Sequence, residues 1–160
     1  MTVLSVDKDF DTHSLTLTAE FDAGIEQVWD LWQDPRKLEK WWGPPTYPAT
    51  FETFELAPGG DVTYFMTGPE GERYHGYWKV TAVNPPKSLA FDDGFAHADG
   101  RHNDDMPTTS GRVDLVETDG RTVMTIRSTT QSREHLETLI SMGMIEGLTA
   151  AVGQMDALLS

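Results

Sequence analysis

The sequence predicts an α+β domain in which a curved antiparallel sheet of six or seven strands wraps a long C-terminal helix, with two short helices after the first strand. Three observations carry that expectation. Leu136, Ile140, Met144, Leu148, Val152, Met155 and Leu159 form one apolar stripe at spacings of three and four within the proline-free stretch Ser132 to Leu159, the pattern of an amphipathic helix. From Thr50 to Ser128 the chain instead alternates apolar and polar residues between glycine- and proline-rich turns, the pattern of half-buried strands. A sheet with one apolar face needs a cover, and only the C-terminal segment is long enough to supply it.

The elements follow in order. Leu15, Leu17, Ala19 and Phe21 alternate with polar residues over Ser14–Phe21, a strand. Asp22 is the expected cap of a first helix whose buried face carries Ile25, Val28, Trp29 and Trp32. Asp34-Pro35 opens a second, short helix running to about Trp42 and stopped by Gly43-Pro44. The later strands are expected at Thr50–Leu56, Asp61–Thr67, Tyr74–Val83, Ser88–Asp92, Arg112–Glu117 and Thr122–Ser128, the last two joined by the hairpin dipeptide Asp119-Gly120. Asp92 to Pro107 reads as a long polar loop. Ser132 is the expected cap of the final helix, and Gly143 and Gly147 inside it suggest a close approach to a neighbour.

The adjacent pair Trp41-Trp42 poses its own question, because neighbouring helical residues point about 100° apart. The two rings cannot fill one hole. One is expected to anchor in the core beside Leu38 and the other to border a pocket mouth. Trp41 is favoured as the anchor, and Trp42 as the mouth residue, since Trp42 adjoins the Gly43-Pro44 exit.

Composition narrows the function. The chain of 160 residues is read as one domain spanning residues 1–160, with 38% hydrophobic and 10% aromatic residues. Its 26 acidic and 12 basic residues give a net charge of −14, which disfavours nucleic acid and anionic membranes as partners. Without cysteine, disulfides, thiolate nucleophiles and Cys-ligated metals are excluded. Neither a secretory signal nor a membrane-spanning stretch is legible, so no membrane insertion and a cytoplasmic location are expected.

Several motifs in sequence order carry a family resemblance. They are Val28-Trp29, Trp41-Trp42-Gly43-Pro44, Pro58-Gly59-Gly60, Gly76-x-Trp78, Pro85-Pro86, and Met142-Gly143-Met144-x-Glu146-Gly147-Leu148. Over about Leu15 to Leu159 the chain resembles the START-like (helix-grip, Bet v-type) superfamily, and within it the bacterial activator of heat-shock-protein-90 ATPase homologues. The resemblance implies a stand-alone helix-grip domain with a cavity between sheet and helix. Gly24 stands where the family often has proline. The eukaryotic co-chaperone behind the family name has an additional N-terminal domain, which is not expected in these 160 residues.

The chemistry expected of that cavity is binding. No G-x-S-x-G, H-E-x-x-H or phosphate-loop motif occurs, and no catalytic residue, metal or cofactor is expected. His97, Asp99, His102, Asp104 and Asp105 cluster in the long loop but match no ligand spacing. His75, opposite in alternation to Gly76 and Trp78, is expected to face away from the cavity. The pocket-facing set from alternation is Trp42, Val62, Tyr64, Met66, Trp78 and Phe91, then Leu115, Met124 and Ile126, with Met144 and Leu148 from the helix. The function expected is non-enzymatic binding of a small apolar, amphipathic or lipid-like molecule by a monomer or homodimer. The alternatives are a chaperone-interaction module and a cyclase- or dehydratase-type enzyme using the same cavity.

Overall fold

A computed structural model describes the backbone of residues 2–159 and the side chains of residues 5–159. Strands β1 (Thr2–Asp9) and β2 (Ser14–Phe21) precede helices α1 (Ile25–Gln33) and α2 (Pro35–Leu38). The strands β3 (Ala49–Phe54), β4 (Asp61–Thr67), β5 (Arg73–Asn84), β6 (Ser88–Phe95), β7 (Thr109–Thr118) and β8 (Arg121–Thr129) follow in an antiparallel meander. Helical segments α3 (Arg133–Ser141), α4 (Met144–Gly153) and α5 (Met155–Leu159) end the chain. Among the described residues the strands form one sheet in the order β1-β2-β8-β7-β6-β5-β4-β3.

The eight strands exceed the six or seven expected, and the addition is β1. Its Asp7, Lys8 and Asp9 interrupt any apolar alternation, and its pairing with β2 shifts register between Val3 and Ser5. Charges and bulges are common on edge strands because they discourage pairing with other chains. They also hide the strand from a periodicity search.

The helical corner differs in detail from expectation. Gly24, not Asp22, caps α1. Gln27 Oε1 accepts from the Gly24 N–H at 3.2 Å, and Glu117 Oε1 at the end of β7 accepts from Ile25 N–H at 2.7 Å. A carboxylate from the sheet thus satisfies a first-turn donor of the helix. Asp34 caps α2 by accepting from Arg36 N–H at 2.9 Å, with Pro35 at the first helical position. That helix stops at Leu38 rather than near Trp42; the chain continues in turns in which Trp41 and Trp42 N–H both donate to Leu38 O.

The C-terminal helix is broken rather than continuous. Its α3 and α4–α5 parts meet at 64°. Gly143, at φ +94°, is the N-cap of α4, a left-handed conformation that glycine enters without the Cβ penalty. Gly143 therefore marks a corner, not the close approach expected of it. No single helix among the described residues is long and apolar enough to cross a membrane.

The core is densely aromatic. Trp32, Trp41, Trp78, Phe21 and Phe51 are among the largest fully buried side chains. Trp32 meets Trp41 edge-on with centroids 4.7 Å apart, and Trp78 stacks on Phe91 at 4.1 Å and 14°. The polar loop folds back on itself through an Ala96–His102 bridge, and the His102 ring stacks on Tyr77 at 3.6 Å.

Candidate functional site

A cavity of about 360 Å3 lies between the sheet and the broken helix, within the roughly 300–1,000 Å3 usual for small-molecule sites. Its floor comes from alternate residues of the central strands: Tyr64 and Met66 on β4, Gly76 on β5, Phe91 and Asp93 on β6, Gly111 on β7, Ile126 and Ser128 on β8. Its roof comes from His135 and Leu139 on α3 and from Met144, Gly147, Leu148 and Ala151 on α4. Trp41, Trp42 and Pro44 close one side. The half-exposed Tyr74 and Phe95 border it as well.

Of the residues expected to face the pocket, Trp42, Tyr64, Met66, Phe91, Ile126, Met144 and Leu148 line this cavity. Val62, Trp78, Leu115 and Met124 do not. They lie on the expected faces of their strands but farther along the sheet, in the close-packed core. Trp78 is sealed there between Phe91 and the edge of Trp42. Alternation fixes the face of a strand, not the point along it where packing gives way to space. His75 borders the cavity, but its ring packs against Phe65 at 5.5 Å.

The adjacent tryptophans divide as their geometry requires. Trp41 is fully buried, and its indole N–H donates to Leu31 O at 2.9 Å. Trp42 is half-buried and lies 4.9 Å from Trp78, 6.2 Å from Tyr64 and 6.2 Å from Phe91. Its indole N–H is sealed from solvent and makes no hydrogen bond among the described residues. It lies alongside the Tyr64 hydroxyl, close enough to moderate that group's pKa without hydrogen-bond geometry.

The polar centre of the cavity is Asp93, which the sequence reading assigned to the loop. The Tyr64 hydroxyl donates to Asp93 Oδ1 at 2.8 Å. Burial pushes the Asp93 carboxyl up to about 7, against the lowering effect of the Tyr64 hydrogen bond. Burial and the neighbouring Asp93 charge drive the Tyr64 phenol well above its ordinary value. The surface that half-buried Asp93 retains gives onto the cavity. No lysine or arginine lines the cavity among the described residues.

Gly76 makes this arrangement possible. A Cβ there would sit 2.6 Å from Tyr64 Cζ and Oη, so the phenol lies directly over the bare backbone of β5. The signal that would have found Asp93 is the same alternation, carried two residues past Phe91. Asp92-Asp93-Gly94 has turn composition, yet cross-strand pairing with Lys79, Trp78 and Tyr77 holds it in β6.

Among the described residues no group of three or more His, Asp or Glu side chains converges on a metal position. In the loop, Asp99 accepts from Arg101 Nε at 2.6 Å and His102 is occupied with Tyr77.

A curved antiparallel sheet, a corner of two short helices and a C-terminal helical cover over a cavity define a START-like protein of helix-grip fold. The chain belongs to the family described as activator of Hsp90 ATPase homolog 1-like protein, which matches residues 22–160. A crystal structure of a protein from Mycobacterium smegmatis is 49% identical, with TM-score 0.90 over 99% of this chain and 98% of that one. A solution structure of a protein from Arthrobacter aurescens is also 49% identical, with TM-score 0.93 over 99% of this chain and 92% of that one. A protein from Staphylococcus epidermidis, 24% identical, shares the fold at TM-score 0.86 over 98% of this chain and 93% of that one. Comparison with curated proteins gave no match.

Proposed function

We propose that the protein binds a small apolar or amphipathic molecule in the cavity without transforming it. One observation carries this reading: the cavity of about 360 Å3 is walled mainly by aromatic and aliphatic side chains, with the hydrogen-bonded pair Tyr64–Asp93 among its few polar groups. Apolar walls supply affinity, and a few placed polar groups set orientation. The test is displacement of an apolar fluorescent probe by hydrophobic competitors, with native mass spectrometry of protein purified from its own host. Saturable probe binding and a co-purifying small molecule are expected. Absence of both from folded protein overturns the reading.

A second reading, acid–base catalysis of cyclase or dehydratase type, is favoured by one feature. A carboxyl with a pKa of about 7 both gives and takes protons near neutrality. Turnover of the co-purified molecule, lost in Asp93→Asn, separates it from simple binding.

A further inference from the structure

We propose that the ligand class is a hydrophobic amine, its protonated nitrogen set against Asp93 Oδ2 and its hydrocarbon part against Trp42, Phe91 and Leu148. The proposal rests on the binding reading of the same cavity and names what it selects.

The Tyr64–Asp93 pair leaves one carboxylate oxygen unpaired. Asp93 Oδ1 is engaged by Tyr64. Oδ2 accepts no hydrogen bond among the described residues, and Asp93 lines the cavity. Asp93 is the only carboxylate lining that space among the described residues, and no lysine or arginine faces it. The other titratable groups on the cavity are Tyr64 from β4, Tyr74 and His75 from β5 and His135 from α3. The His75 ring packs on Phe65, and His135 Nδ1 accepts from Gln131 N–H at 3.5 Å. Neither histidine pairs with Asp93 among the described residues.

A carboxylate desolvated without a counter-charge is costly, and the cost disappears when a ligand brings the positive charge. A neutral ligand leaves that cost in place, and an anionic one adds repulsion. The surroundings favour a cation in a second way. Phe91 precedes Asp93 by two residues on the same strand face, and Trp42 lies 6.2 Å from both Phe91 and Tyr64. Aromatic rings attract ammonium groups. The net charge of −14 also draws cations toward the molecule.

The test is calorimetry of the full chain with octylamine, octanol and octanoate, which share a tail and differ in head group. Octylamine should bind at least about tenfold more tightly than octanol, with octanoate weakest. Its affinity should rise between about pH 6 and pH 8 as Asp93 loses its proton, while that of octanol stays flat. Asp93→Asn should abolish the preference for octylamine over octanol. A second measurement needs no variant: at about pH 6.5, binding of octylamine should release protons into the buffer and binding of octanol none. Equal affinity for octylamine and octanol, tightest binding of octanoate, or no proton release overturns the amine assignment while leaving the binding function intact. No binding of any of the three by folded protein removes the binding function itself.

Discussion

The Tyr64 hydroxyl donates to Asp93 Oδ1 at 2.8 Å, and this bond is the sole hydrogen bond that Asp93 receives on its side chain among the described residues. A carboxylate so placed ties folding to pH. The folded pKa of about 7 exceeds the reference value of 3.8, so between those values the folded chain holds a proton that the unfolded chain has lost. The contribution of Asp93 to stability is fully present below the lower value and is lost as pH rises through the upper, by up to about 4 kcal/mol. Urea denaturation should therefore show Asp93→Asn more stable than the parent at about pH 8, with the gap closing toward about pH 4. A gap independent of pH contradicts the assignment.

Trp41 and Trp42 should separate stability from binding. Trp41→Ala removes a fully buried ring and the bond to Leu31 O, and should cost about 3–5 kcal/mol. Trp42 already faces space on one side, so Trp42→Ala should cost clearly less while changing probe affinity severalfold. Thermal melts and probe titrations of the two variants check this; equal large losses of stability would make both rings simply core.

Gly76→Ala should act on the cavity through Tyr64. The added Cβ would meet the phenol at 2.6 Å, and the ring must shift from Asp93. A stability loss of about 1–3 kcal/mol is expected, as for overpacking elsewhere. The ultraviolet signature of the displaced tyrosine, compared with Tyr64→Phe, reads the shift directly. An unchanged tyrosine spectrum and unchanged stability would contradict the close approach.

Gly147 offers the opposite case. It lines the cavity from α4, and a Cβ there meets nothing within 4 Å. Gly147→Ala should stabilise the protein by roughly 1 kcal/mol through helix propensity alone. Gly147→Leu should fill the space and weaken probe binding at least about tenfold without unfolding the chain. Probe affinity unaffected by the leucine would move the ligand elsewhere.

Much of this architecture was legible from periodicity, and the gaps have specific physical causes. The alternation in Ser14–Phe21 and Asp61–Thr67 matches β2 and β4 residue for residue, because one face of each is buried. The edge strand β1 was hidden by its charges. The stripe from Leu136 to Leu159 was correctly helical but silent about the turn at Gly143, since a left-handed residue leaves the spacing of apolar residues nearly intact. In the site, Trp42, Tyr64 and Phe91 follow from the faces of their elements. Asp93 did not follow, because local turn composition was overridden by pairing with β5. Trp78 was misplaced because a filled core and a cavity wall present the same sequence pattern.

The tryptophan cluster has an optical consequence. Ring centroids of Trp32, Trp41, Trp42 and Trp78 lie between 4.7 and 6.4 Å along their contacts. At such spacing the indoles share excitation, and light absorbed by any one of them samples the whole group. Trp42, the member that borders the cavity, then colours the emission and near-ultraviolet dichroism of the other three. The molecule carries its own internal reporter, in which filling or emptying the cavity registers as one collective spectral change and no dye need be attached.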